Sequence, residues 1–203
     1  MSDSAPAGRR DRGRTRDAAA TAAILKAAMS LLVEKGLAGF TIEGIAARAG
    51  VGKATIYRWW PSRGAVALDA FLDAVQPLVP YPEEDEDFAT RLRVQVTALV
   101  RVFRDHEVGG VVRALMGEAQ TDPDLAAAFR DRWLEARRTA GRAVFREAQR
   151  TGQIRDDLEI ETAIDLVYGA VYFRLLAGHQ PLSDEFVADL VDYAIRGLAP
   201  TST

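Results

Sequence analysis

Residues 41–60 read TIEGIAARAGVGKATIYRWW, a pattern typical of two short helices joined by a tight turn. Such a pair needs a small residue where the helices cross, a glycine where the chain reverses, and apolar residues that hold both helices against a third. Ala46 and Gly50 take the first two places. The apolar places are taken by Ile45, Val51, Ile56 and Trp59. The spacing therefore predicts a helix-turn-helix, with a generic helical hairpin as the alternative.

Helical periodicity continues on both sides of this motif. Apolar residues three and four positions apart predict helices over residues 17–35, 42–49, 53–60 and 63–74. Thr41 is a good N-cap for the second of these helices, and Gly36 and Gly50 supply stops for the first two. Pro61 and Ser62 interrupt the chain before the fourth.

The sequence changes character over residues 76–87, where three prolines and an acidic run indicate a linker. Beyond the linker, helices are predicted over residues 88–105, 111–120, 124–151, 159–177 and 184–198. A break is expected at Gly109 and Gly110. We predict an all-α fold in three parts, which are a disordered basic arm (1–16), a three-helix helix-turn-helix domain (17–75) and a larger C-terminal helical domain (76–203).

The composition argues against several classes of protein. The chain has no cysteine, and its histidines, His106 and His179, are far apart in the sequence, so we expect no metal site and no cysteine nucleophile. No nucleophile–base pair or glycine-rich phosphate loop occurs, and the acidic residues 83–87 read as a solvated run, which makes a helical enzyme a remote alternative. No stretch approaches the roughly 18 apolar residues of a membrane span. We therefore expect a cytoplasmic protein with no cofactor and no membrane partner.

Charge is distributed unevenly along the chain. Residues 1–70 hold 11 Lys and Arg against 6 Asp and Glu, whereas residues 71–203 hold 15 against 23, so the net charge is +5 on the first part and −8 on the second. A basic end is typical of a protein that meets a polyanion. Five of the basic residues are arginines between Arg9 and Arg16. If the polyanion is DNA, we expect these arginines to follow its phosphate backbone or to enter its minor groove. A solubilising tail is the alternative.

The motif residues also match a known pattern. They run from Ile45-Ala46 through Ala49-Gly50-Val51 to Thr55-Ile56-Tyr57, and on to Trp59-Trp60-Pro61-Ser62-Arg63. This segment resembles the DNA-binding part of TetR-family transcriptional regulators, and the detailed match covers about residues 17–72. The C-terminal part is similar to the family in helix count, length and residues 165–178. Gly52, where a capping hydroxyl is common, and Gly64, in the first turn of the fourth helix, depart from the family pattern.

The resemblance implies a homodimer that binds a palindromic double-stranded DNA operator and is released, as a repressor, by an unknown small-molecule effector. In a helix-turn-helix the second helix enters the major groove, which makes base-edge contacts the expected role of Lys53, Ala54, Thr55 and Arg58. The resemblance assigns phosphate contacts to Thr41, Tyr57, Trp59 and Arg63. As alternatives, Lys53 and Arg58 are solvated charges, Thr41 is only a cap, and Trp59 or Trp60 belongs to the core.

The resemblance also implies an effector cavity between the middle helices of the C-terminal domain, which holds many aromatic residues. We predict that its apolar lining comprises Phe103, Met116, Phe129, Trp133 and Tyr172. His106 or Arg137 is expected to orient a polar group of the ligand. In the alternative interpretation these aromatic residues form ordinary core. A helix-turn-helix protein that binds DNA without any effector is the main competing function.

The last two helices are predicted to form the dimer surface, as a four-helix bundle across a twofold axis. The first contributes Ile164, Val167, Tyr168, Gly169, Val171 and Leu175. The second contributes Phe186, Leu190 and Val191. Burial of these stripes within one subunit is the alternative.

Overall fold

A computed structural model of the protein describes residues 8–79 and 86–200, and side chains over residues 18–79 and 86–200. All regular structure within these ranges is helical, which confirms the all-α prediction. The α-helices are α1 (Gly8–Lys35), α2 (Ile42–Ala49), α3 (Lys53–Trp59), α4 (Arg63–Val75), α5 (Phe88–Asp105), α6 (Val108–Glu118), α7 (Pro123–Phe129), α8 (Glu135–Arg150), α9 (Ile160–Ala177) and α10 (Asp184–Leu198). None of these helices is both long and apolar enough to cross a bilayer.

The chain divides into two compact units, residues 1–73 and 74–203. In the first unit α2 packs on α1, and α3 packs on α2. Ile24, Ile45 and Ile56 are fully buried, and each such side chain contributes about 1.5–3 kcal/mol when it leaves water. The turn between α2 and α3 depends on Gly50, whose φ of 68° is a left-handed conformation that side chains other than glycine disfavour.

Helix α1 begins earlier than the sequence predicts. It starts at Gly8, so residues 8–16, which we expected in a disordered arm, are helical. Arginine and alanine are good helix formers, and a helix that already exists extends by one hydrogen bond for each residue added. Apolar periodicity could not reveal this extension because it reports which residues are buried. Residues 1–7, the rest of the predicted arm, lie outside the described residues, as do the arginine side chains from Arg9 to Arg16.

The second unit is built around α5, which packs against α6, α8, α9 and α10. The rings of Phe88 on α5 and Phe145 on α8 meet edge to face, with centroids 5.0 Å apart. Helices α7 and α8 form one continuous rod, joined by a π-helical turn at Arg130–Leu134. Such turns are uncommon and occur often at functional sites.

The expected break at Gly109 and Gly110 is wrong, because both residues lie inside α6. The chain changes direction at His106 and Glu107 instead. A Cβ atom added to Gly109 would lie 1.9 Å from the carbonyl oxygen of Phe103, so any larger residue would clash with the backbone of α5. This glycine therefore permits a close approach of α6 to the end of α5, and it does not end a helix.

Candidate nucleic-acid interface and ligand cavity

Helix α3 has one buried face and one exposed face. Ile56 is completely buried and holds the helix against the first unit. The exposed residues are Lys53, Ala54, Tyr57, Arg58 and Trp59, while Thr55 is half-buried. Tyr57 and Trp59 are 55% and 50% exposed, which is unusual for large aromatic side chains. Lys53, Ala54, Tyr57 and Arg58 therefore share one exposed face of α3, and Trp59 is exposed at the end of the helix.

The two tryptophans that follow one another at the end of α3 differ sharply. Trp60 is 5% exposed, and its indole Nε1 donates a hydrogen bond to Asp69 Oδ2 at 2.8 Å. Trp59 lies on the surface, with the Arg58 guanidinium 5.1 Å from its ring centroid. The prediction that Trp59 takes an apolar place in the motif is therefore wrong, because Trp60 is the core residue of the pair and Trp59 is available to a partner.

The cations of this surface already have contacts. Lys53 Nζ lies 2.9 Å from Glu43 Oε1, and this hydrogen bond raises the pKa of Lys53 and lowers the pKa of Glu43. Both side chains are more than half exposed, so water and salt weaken the pair. A phosphate or base acceptor can therefore replace Glu43 at small cost.

Thr41 and Arg63 have structural roles in addition to their expected contacts. Thr41 Oγ1 accepts a hydrogen bond from the Gly44 amide at 3.1 Å, which makes Thr41 the N-cap of α2. Arg63 Nη1 donates to the Leu37 carbonyl oxygen at 3.1 Å and so ties the start of α4 to the loop before α2. Gly52 begins α3 without a side-chain cap.

The second unit contains a cavity of about 230 Å³. Its walls come from α5, α6, α8 and α9, with Val79 and Leu134 completing them among the described residues. Three of the predicted lining residues, Met116, Arg137 and Tyr172, are part of this wall. Helix α5 contributes Arg91, Gln95 and Leu99, which are spaced by four and so occupy one face of the helix.

Four residues predicted for the lining are not part of it. Phe129 is buried in the core, and His106 is exposed beyond the end of α5. Trp133 stands behind the wall, where its Nε1 donates to the Tyr172 hydroxyl at 2.9 Å. Phe103 also packs on Tyr172, with ring centroids 5.6 Å apart. Aromatic content therefore located the right region, but a residue on a wall helix can face either the cavity or the layer behind it.

Charged residues in the cavity wall were largely missed by the sequence analysis. The lining includes three arginines and one aspartate, namely Arg91, Arg137, Arg138 and Asp165. Arg138 forms ion pairs with Asp165 and with Glu161, which also binds Arg142. The Arg137 guanidinium lies 4.3 Å from the Trp133 ring centroid and 3.4 Å from the Val79 carbonyl oxygen. The spacing of Arg91 with Gln95 and Leu99 was the signal that could have identified the α5 wall.

Two tyrosine hydroxyl groups complete the polar part of the wall. Burial raises the pKa of Tyr168 and of Tyr172 to about 12, so both stay protonated and neutral near pH 7. The Tyr172 oxygen accepts from Trp133, which leaves its own proton to donate to another acceptor. The cavity therefore combines apolar walls with arginine and tyrosine hydrogen-bond donors.

The predicted dimer stripe is mostly internal to one chain. Six of its residues are buried within the second unit and cannot offer surface to a partner, namely Ile164, Val167, Val171, Leu175, Phe186 and Val191. Tyr168 faces the cavity, Leu190 is half-buried, and Gly169 is exposed. Helix α9 has apolar residues on all sides, so periodicity could not show which stripe is covered.

The exposed apolar residues of α9 and α10 are different ones. On α9 they are Leu166, Phe173 and Leu176, of which Phe173 is 64% exposed. On α10 Tyr193 is 66% exposed. The α9 residues lie near Gly169, to which an added Cβ would meet nothing within 4 Å. These four residues, Leu166, Phe173, Leu176 and Tyr193, are called the α9–α10 face below.

Comparison with known proteins agrees with this architecture. Residues 24–70 match the family described as bacterial regulatory proteins of the tetR family, and residues 82–194 match the tetracyclin repressor-like C-terminal domain. The chain is 39% identical over 194 residues to an uncharacterized HTH-type transcriptional regulator, YdeS, of Bacillus subtilis (strain 168), and the match covers 94% of this chain and 96% of YdeS. It is 24% identical to the HTH-type transcriptional repressor AcnR of Corynebacterium diphtheriae, over 88% of this chain and 92% of AcnR.

Solved structures lead to the same family. The TetR-family transcription regulator SCO0332 has 38% sequence identity and a TM-score of 0.76, and the alignment covers 89% of this chain and 99% of SCO0332. The fold is also that of the Bacillus subtilis regulator FadR, solved with stearoyl-CoA, at 17% identity and a TM-score of 0.71 over 87% of this chain and 98% of FadR. Because family models match residues 24–70 and 82–194, and YdeS is 39% identical over 94% of this chain, the chain belongs to the TetR family of transcriptional regulators, which are not enzymes.

Proposed function

We propose that this regulator is a repressor that binds a palindromic operator as a homodimer and leaves it when a small molecule occupies the cavity. The observation that carries the proposal is the presence in one chain of an exposed basic and aromatic helix, α3, and a cavity with polar groups inside apolar walls. The word repressor in the name of AcnR supports the proposal that this regulator lowers transcription. The stearoyl-CoA held by FadR supports the idea that this fold accommodates an effector.

On DNA, α3 enters the major groove with its exposed face toward the bases. Lys53 and Arg58 donate to guanine O6 and N7, while Ala54 and the methyl group of Thr55 contact thymine methyl groups. Tyr57 and Trp59 contact the phosphate backbone beside them. We assign the hydroxyl and backbone of Thr41 to phosphate contacts. Arg63 also contacts phosphate, through the N–H groups that do not bind the Leu37 carbonyl oxygen.

The α9–α10 face supplies the dimer contact in this proposal. Large apolar side chains are exposed on both of the neighbouring helices α9 and α10, as is typical of a protein-binding surface, and two helices from each of two subunits form a four-helix bundle. A second copy of the chain is the occupant that a palindromic operator requires. The two α3 helices must then reach half-sites about one helical turn apart, roughly 34–36 Å.

The experiment that tests this function is an operator search followed by a binding titration. Palindromes in the DNA that flanks the coding region are labelled, and binding by the wild-type protein is measured by fluorescence anisotropy against unlabelled random DNA. We expect a preference of roughly a thousandfold or more for one palindrome, with two protein chains on each duplex. Equal affinity for all sequences would contradict the proposal. Specific binding that no small molecule relieves would favour the effector-independent regulator.

A further inference from the structure

The cavity wall carries positive charge that its own acids do not balance. Three arginines and one aspartate line it, an excess of two positive charges among the described residues. The aspartate, Asp165, is held by Arg138 in an ion pair, and Arg138 is shared with Glu161. The negative charge of the wall is therefore already in use, which makes the site unsuited to a cationic ligand.

Arg91 brings a buried donor to the wall that a ligand could satisfy. Its Nε is buried and has no hydrogen-bond acceptor within reach among the described residues. A buried donor without an acceptor is costly, because its hydration is lost and nothing replaces it. The pKa of Glu147 is lowered mainly by its hydrogen bonds to Arg150 and to a smaller extent by the charge of Arg91. The Glu147 carboxylate is therefore not available to Arg91, because it binds the Arg150 guanidinium through both oxygens. An anion inside the cavity would satisfy Arg91 and lower this cost.

Other donors lie in the same wall, on different helices. Arg137 comes from α8, and its charge acts on the hydroxyls of both Tyr168 and Tyr172 on α9. The planar guanidinium of Arg91 on α5 presents donors in a fork that matches the two oxygens of a carboxylate. Helices α5, α8 and α9 therefore each bring at least one hydrogen-bond donor to the wall that a carboxylate could use.

Apart from Gln95, the remaining wall is apolar, and the cavity volume sets the size of the ligand. Leu99, Met116 and Phe145 are among its residues. An apolar cavity of roughly 150 Å³ holds benzene, so the volume of about 230 Å³ suits a molecule of roughly nine or ten heavy atoms. This body would be unbranched or a single ring, since the same space must also hold the anionic group.

We propose that the cavity binds a small organic acid with an apolar body and one carboxylate, and that Arg91 is the residue that selects the carboxylate. This inference rests on the proposed function, because it names the effector class of the same cavity. Binding of the acid joins α5 to α8 and α9 through one shared anion, which gives the second unit a liganded state distinct from its empty one.

The test compares acids with amides of the same shape. Phenylacetate and octanoate are titrated into the full-length protein near pH 7 by calorimetry, and phenylacetamide and octanamide serve as their neutral counterparts. Charged hydrogen-bonded contacts predict that at least one acid binds roughly ten- to a hundredfold more tightly than its amide. Equal affinity of every acid and its amide, or no binding of either acid at millimolar concentration, would overturn the proposal.

Variants assign the preference to Arg91. Arg91→Gln should remove most of the preference for the acid and leave the affinity for the amide within a few-fold. Arg93→Gln is the matched control, because Arg93 is on the same helix but exposed and outside the wall. An acid preference that survives Arg91→Gln would refute the role of Arg91. If Arg91→Gln does not fold, the wild-type acid and amide titrations still decide the ligand class.

These titrations contain no DNA, so their outcome is separate from that of the proposed function. Wild-type protein that binds an acid but no palindrome would contradict the operator proposal alone. Protein that binds both, yet keeps its operator when the acid is saturating, would contradict only the effector response. Protein that binds its operator but ignores both acids would remove this inference and leave the operator proposal standing.

Discussion

The two units place similar side chains in opposite surroundings. On α3, Lys53 pairs with Glu43 in the solvent, and Arg58 lies over the exposed ring of Trp59. In the second unit, Arg137 lies over the buried ring of Trp133, beside apolar walls. Charges in water are screened and exchange partners easily, whereas charges under apolar cover interact strongly with whatever shares the space. The first arrangement suits a long polyanion bound through many weak contacts, and the second suits one small anion bound through a few strong ones.

The largest effect on DNA binding is expected from a substitution in the second unit that leaves α3 unchanged. Phe173→Glu places a charge in the exposed α9–α10 face, where a dimer contact cannot tolerate two unpaired carboxylates. We expect a monomer and a loss of operator affinity of a hundredfold or more, since each half-site is then bound alone. Sedimentation velocity and anisotropy measure the two effects.

Val94→Glu is the matched control for this substitution. Val94 is another exposed apolar residue of the second unit, on α5, and lies outside the α9–α10 face. The Val94→Glu protein should remain a dimer and bind DNA normally. If Phe173→Glu also remains a dimer, the α9–α10 face is not the interface and the proposed assembly is wrong.

A smaller effect is expected from an exposed cation of α3. Arg58→Ala should cost roughly 1–3 kcal/mol on the preferred operator and relax the base preference at one position in each half-site. Arg48→Ala is the control, because Arg48 is held by both oxygens of Glu34 away from α3. Competition with single-base operator variants provides the measurement. An unchanged base preference would make Arg58 a phosphate contact or a bystander.

The smallest effect on operator affinity is expected when Lys53 loses its partner Glu43. Glu43→Gln removes the carboxylate that competes with DNA for the lysine, so operator binding should tighten a few-fold and depend more steeply on salt. Glu34→Gln frees Arg48 in the same way but lies off the contact surface, and it should change neither quantity. Titrations from low to high salt distinguish the two variants. Weaker binding by Glu43→Gln would show that Glu43 positions Lys53 for DNA.

The sequence predicted the first unit better than the second for a physical reason. In the helix-turn-helix, short helices with few apolar residues leave one choice of buried face, so Ile45 and Ile56 had to point inward and Lys53 outward. The spacing gave an apolar place to Trp59, whereas the structure buries Trp60. That difference depends on a hydrogen bond from Trp60 to Asp69, which periodicity does not report.

The second unit offered too many apolar residues for the same reasoning. Helix α9 could bury several stripes, and the core took Val167 and Val171, which we had assigned to the dimer. The cavity raised a related difficulty, because Tyr172 and Trp133 touch each other but only Tyr172 lines the space. Which layer a residue occupies is decided by how several helices pack together, and that information is spread over the whole unit.

The three tryptophans of the chain give each event an optical reporter of its own. Trp59 is exposed on α3, Trp60 is enclosed and tied to Asp69, and Trp133 is hydrogen-bonded to a tyrosine of the cavity wall. Each tryptophan therefore fluoresces from an environment of different polarity. Proteins that retain one tryptophan each could follow DNA docking, unfolding of the first unit and filling of the cavity in separate stopped-flow traces. The order of acid entry and operator release could then be timed without attaching any dye.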